Sequence, residues 1–67
     1  MKFKVDDVII HVFFWEKMKF WKVTKIKEQS IIAQETDSNK WTEIPKSVIN
    51  RYILVSEMKK IYPERFL

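Results

Sequence analysis

Pro45-Lys46-Ser47-Val48-Ile49-Asn50-Arg51-Tyr52-Ile53-Leu54-Val55 is the stretch on which the fold turns. Pro45 has no N–H to give a ladder, so it ends any strand that precedes it. Two continuations are open. In one, residues 45–50 make a single 3₁₀ turn and Tyr52 to Val55 form a strand. In the other, Ser47 caps a helix running to about Tyr62, with Val48, Tyr52, Val55 and Tyr62 along one stripe that Lys59 interrupts. Tyr52-Ile53-Leu54-Val55 is β-prone, which favours turn and then strand. Met58 to Tyr62 is then a short helix before Pro63.

Upstream of Pro45 the chain divides into short runs rich in β-branched and aromatic residues. They are Val8 to Phe14, Phe20 to Ile26, Ile31 to Thr36 and Lys40 to Ile44. The breaks between them are Glu16-Lys17-Met18, Glu28-Gln29-Ser30 and Asp37-Ser38-Asn39. The chain has no glycine, so turns must draw on Asp, Asn, Ser and Pro; Asp37-Ser38-Asn39 is the clearest of the three and Glu16-Lys17-Met18 a weaker one. Evenly spaced runs of this kind indicate an antiparallel meander. In the fourth run Lys40, Thr42 and Ile44 alternate with Trp41 and Glu43. In the second, Val23 and Ile26 are three apart, so one face holds both only if the strand carries a bulge. The reading is an all-β chain of five antiparallel strands with a short 3₁₀ turn, over residues 1–56. Residues 57–67 form a C-terminal tail that packs back or makes a contact.

This order of parts resembles an SH3-like small β-barrel. The resemblance rests on Phe3-x-Val5-x-Asp7-x-Ile9, where such barrels often read F-x-V-G-D-x-V, on the long bent second strand, and on Trp41-x-x-Ile44-Pro45 before a one-turn segment. Asp6 stands where the family pattern prefers Gly. The resemblance implies a closed five-stranded barrel. It implies no single function, since such barrels bind nucleic acids, bind peptides, or assemble with and inhibit larger proteins. The helical alternative for the C-terminal third resembles a chromo-like sheet capped by a helix. Phe13, Trp21 and Trp41 would then be candidates for an aromatic cage.

The chain has 67 residues, 46% of them hydrophobic and 15% aromatic, too apolar for a disordered tail. A domain this small buries only about 60% of the surface its unfolded chain exposes. With no cysteine there is no disulfide to brace it. No apolar run approaches the ~18 residues of a membrane span. The N-terminal residues lack the apolar core of a signal peptide. The protein is expected to be soluble and cytoplasmic.

Enzymatic chemistry is thinly supplied. His11 is the single histidine, and it stands inside a strand-like run, where a packed or solvated role is commoner than a catalytic one. Asp6 and Asp7 would point to opposite faces of a strand and share no site. Without cysteine, and with one histidine, no protein-only metal site is expected. Without glycine there is no phosphate-cradling loop. No cofactor is expected, and the protein is read as a non-enzyme.

Two features do suggest binding. Lys17, Lys19, Lys22, Lys25 and Lys27 place +5 in eleven residues that contain no acid, with Phe20 and Trp21 among them. Lysines track phosphates and aromatic faces stack bases, so Trp21 and these lysines are candidates for nucleic-acid binding. The bland alternative is a solvated, edge-protecting ribbon. The rest of the chain carries eight basic and nine acidic groups, so the basicity is local. The second feature is the crowding of Phe13-Phe14-Trp15 and Phe20-Trp21 around one turn. One small interior does not hold them all, so some should lie outside and make contacts. Alternatively the tail, with Met58, Ile61, Tyr62, Phe66 and Leu67, covers them. The candidates for a protein-binding surface are Phe13, Phe14, Trp15, Phe20, Trp21 and Trp41. A protein-binding module, contacting a partner or itself through the first hairpin, is the favoured reading, and a nucleic-acid-binding barrel the alternative. A lysine-rich chain of this size also suits an accessory factor of a phage or mobile element.

Overall fold

The computed structural model describes residues 2–17 and 19–65. Five antiparallel strands form one sheet: β1 (Val8–His11), β2 (Trp21–Ile26), β3 (Ser30–Glu35), β4 (Trp41–Pro45) and β5 (Tyr52–Leu54). Their order across the sheet is β4-β3-β2-β1-β5. A 3₁₀ segment, Lys46–Arg51, follows Pro45 directly and carries the chain from the β4 edge to the β5 edge. Among the described residues no ladder joins β4 to β5, so the sheet is not closed by hydrogen bonds into the expected barrel. Ile49 of the 3₁₀ segment and Phe3 of the N-terminal segment both pack into the cluster on that face.

The continuous helix over 47–62 does not form. Tyr52–Leu54 pair instead with β1 in the register Ile9 to Leu54, Ile10 to Ile53 and His11 to Tyr52. Helix is confined to α1 (Val55–Ile61), and a single 3₁₀ turn, Pro63–Arg65, follows. The helix begins at Val55, three residues before the expected start at Met58. Val55 ends the strand because its side chain turns into a second cluster, with Met58 one turn later.

The bulge required by Val23 and Ile26 is present. Val23 opposes Ala33 and Ile26 opposes Ile31, and the register shifts between Val23 and Lys25. Thr24 is the extra residue, and its Oγ1 donates to the Ile32 carbonyl at 3.3 Å. Strand entry uses a turn over Lys4–Asp7. The Lys4 N–H donates to Asp7 Oδ2 at 2.8 Å and the Asp7 N–H to the Lys4 carbonyl at 3.1 Å. Asp6, at the position where the SH3-like pattern prefers glycine, has φ of 78°. That is the left-handed region, which glycine enters without a Cβ penalty and Asp tolerates better than most residues.

The sheet is buried on both faces at β1, where Ile9 and Ile10 are both fully buried. Ile9 joins Phe3, Val23, Ile31, Ala33, Ile44 and Ile49 on the inner face. Ile10 joins Val55 and Met58 on the outer face, flanked by Val8, Trp15, Phe20 and Ile53. The unbroken apolar run Val8-Ile9-Ile10 is what burial on both faces requires. Helix α1 is therefore a second layer laid over β1 and β5. Among the described residues no helix is long and apolar enough to cross a membrane.

Candidate contact surface

The β1–β2 connection is held by its own backbone and by its neighbours. Val12 N–H donates to the Arg51 carbonyl at 2.8 Å, Phe14 N–H to His11 at 3.2 Å, and Lys17 N–H to Phe14 at 3.1 Å. Phe13 N–H donates to Nδ1 of His11 at 3.1 Å. The His11 ring lies 5.7 Å from that of Phe13, 4.8 Å from Phe14 and 4.9 Å, edge-on, from Tyr52. On the other side of the connection Trp15 stacks on Tyr62 at 4.6 Å and 10°, with the Arg65 guanidinium 5.4 Å from the Trp15 ring.

The aromatic candidates fall into four environments. Trp15 and Phe20 pack beneath α1 in the outer cluster. Trp21 packs against the inner cluster. Phe13 and Phe14 stay 72% and 57% exposed on the connection. Trp41 is 66% exposed and opposes Gln34, which in turn opposes Lys22, so it stands on the outer face near the β4 edge. Phe13, Trp21 and Trp41 thus do not converge, and no cage forms from them. Of the tail residues, Met58 and Tyr62 reach Trp15, and Ile61 is 60% exposed. Phe66 and Leu67 lie outside the described residues, as does Met18 of the first turn.

The five lysines do not make one ribbon. Lys22 pairs with Asp6 at 3.6 Å, and Lys27 with Glu43 at 3.3 Å. Both pairs are exposed and each adds little stability, but each offsets a positive charge locally. Lys25 opposes Ile32 on the outer face, in a shallow concavity that Trp41 also lines. Lys17 and Lys19 lie elsewhere. With His11, Phe14, Trp21 and Tyr52 they line a cleft of about 340 Å³ at the end of the inner face. The Lys17 ammonium sits 5.5 Å from the Phe14 ring centre.

Burial, and secondarily the field of Arg51, lowers the His11 pKa from its ordinary 6.5. Burial raises that of Tyr52, against the opposing field of Arg51. At neutral pH the ring of His11 is therefore uncharged. Its Nδ1 accepts from Phe13 N–H, which leaves the proton on Nε2. No carboxylate is hydrogen-bonded to His11 among the described residues, and no three His, Cys, Asp or Glu side chains gather there as metal ligands. The cleft holds two cations, ring faces and two polar donors.

Sequence reasoning picked out Phe14, Lys17, Lys19 and Trp21 and missed His11 and Tyr52 as cleft residues. Their signal is the register of β1 on β5, which sets the two side by side. No family model matches the chain, and no curated protein or solved structure matches it.

Proposed function

We propose that this protein is a small non-enzymatic binding module that contacts a protein partner through the aromatic end of its first hairpin. The observation that carries this reading is the exposure of Phe13 and Phe14 on a connection that is otherwise tied down. Two adjacent phenylalanines left in water lose the burial that would stabilise them, of order 1.5–3 kcal/mol each. A partner regains that stabilisation. Fixing the rings before contact lowers the ordering cost of binding.

A nucleic-acid reading draws on the same lysines. It is less well supported, because Asp6 and Glu43 offset Lys22 and Lys27 and interrupt the positive track from Lys17 to Lys27.

The test is capture of partners by tagged protein from its native cells, with and without nuclease. Replacing Phe13 and Phe14 by Ala together should leave folding nearly unchanged and reduce partner retention at least ~30-fold, as expected of anchor residues. Retention that disappears on nuclease treatment, or that survives the double replacement, would refute the proposal.

A further inference from the structure

We infer that the cleft formed by His11, Phe14, Lys17, Lys19, Trp21 and Tyr52 receives an acidic peptide segment of the partner, with a carboxylate between Lys17 and Lys19 and an apolar side chain against Trp21 and Tyr52. This rests on the reading of the protein as a protein-binding module and specifies what that partner presents.

Charge is the first support. Among the described residues, no acid lines the cleft. Outside the lining, Lys2 donates through Nζ to the Tyr52 carbonyl at 2.9 Å, and the field of Arg51 reaches both His11 and Tyr52. Glu35, which the ladder sets opposite Trp21, accepts instead from the Ser38 hydroxyl at 3.1 Å. Among the described residues the walls of the cleft thus hold cations and no acid, and a carboxylate entering it would complete an ion pair.

Shape is the second support, and it separates a peptide from a nucleic acid. A single strand needs free ring faces to stack on and a run of cations to follow. Here Lys17 already lies over the Phe14 ring, and the His11 ring is in contact with Phe13, Phe14 and Tyr52. Of the other lysines on or just past β2, Lys22 and Lys27 are paired with acids, and Lys25 lies on the outer face. What remains is one pocket of side-chain size with two cations at its rim. That suits a single carboxylate beside an apolar group, and it does not suit a phosphate backbone passing through.

The experiment is a titration of the whole ¹⁵N-labelled protein, at about 50 mM salt, with a capped heptapeptide of Asp and Glu around one Leu. The expected result is saturable shifts at the Lys17, Lys19 and Tyr52 amides and the Trp21 indole N–H. Affinity should fall at least ~10-fold when Lys17 and Lys19 are both replaced by Gln. Lys60→Gln, on α1, controls for net charge and should leave affinity within about twofold. A peptide with Lys in place of the acids should give no shifts. The inference is overturned by no saturable shift up to millimolar peptide, by shifts centred on Lys25 and Trp41, or by an oligothymidine that displaces the peptide from the same residues at lower concentration. If the peptide fails while partner capture still depends on Phe13 and Phe14, the module reading stands and the acidic chemistry of the partner is wrong. If capture fails as well, both fall.

Discussion

Replacing Met58 by Ala tests whether α1 is part of the folded unit. Seven residues are too few for a helix to hold itself in water, so α1 exists because its apolar side is covered. Met58 is 3% exposed and packs with Ile10 and Val55, between Trp15 and Phe20. Truncating a buried Met to Ala costs about 2–5 kcal/mol, depending on how far the site collapses. A domain of this length has a total stability of about 3–10 kcal/mol. A loss toward the low end of the truncation range, ~2–4 kcal/mol, therefore removes at least about a fifth of that stability. With the per-residue unfolding entropy usual for such domains, the midpoint should fall by roughly 15–30 °C. Met58→Leu preserves volume and should cost less than ~1.5 kcal/mol. Ile61→Ala, on the exposed side of the same helix, should stay within ~0.5 kcal/mol. Urea and thermal unfolding followed by circular dichroism measure all three. A Met58→Ala protein that melts within about 3 °C of the parent, no worse than Ile61→Ala, would show that α1 is appended to the sheet.

Three further outcomes follow from local geometry. Asp6→Gly should match or exceed the parent in stability, because glycine adopts φ of 78° freely and the exposed pair with Lys22 contributes little; Asp6→Val should lose ~1–2 kcal/mol or more. Equal melting of the two would contradict the left-handed assignment. His11 should titrate below 6.5 when followed by NMR. Its folded pKa lies below its unfolded one, so the unfolded chain takes up the proton first, and this group's contribution to stability is complete above pH 6.5 and is lost as pH falls toward the folded pKa. A midpoint at or above 6.5 would show that the ring is not desolvated. Glu43 accepts from Ser30 Oγ at 2.6 Å and from Lys27 Nζ at 3.3 Å, and these bonds lower its pKa below 4.5. Its contribution is therefore present above pH 4.5 and lost as pH falls through the folded value. Glu43→Gln should flatten the acid limb of a stability profile in that window and leave the His11 limb unchanged.

Strand boundaries were legible where a residue's chemistry allowed a single answer. Pro45 stops β4 and hands over to the 3₁₀ segment, and the spacing of Val23 and Ile26 demands the bulge found at Thr24. Alternation in Trp41–Ile44 assigns faces correctly, with Ile44 inside and Trp41 outside. The helix start was less accessible, since Val55 suits a strand by propensity and is helical because of what it packs against. The fates of the aromatics were not legible. Trp15 and Trp21 flank the same turn in similar company, yet one lies beneath α1 and the other on the inner cluster. That division depends on where distant residues, Met58 and Tyr62, come to rest. The lysines show the same limit. Their local spacing suggests a ribbon, and the acids that interrupt it, Asp6 and Glu43, come from other segments of the chain. The cleft itself depends on His11 meeting Tyr52 across β1 and β5, a long-range register that no local pattern encodes.

The most direct test of the contact surface is photo-crosslinking in the native cells, with a photoreactive side chain at position 13 and, separately, at position 60 on α1. Phe13 is the most exposed aromatic of the connection, so a label there projects into whatever the hairpin touches. A discrete protein adduct from position 13, resistant to nuclease and absent from position 60, is the expected result. Adducts made mainly to nucleic acid at position 13, or the same products from both positions, would contradict a protein contact at the aromatic end of the hairpin.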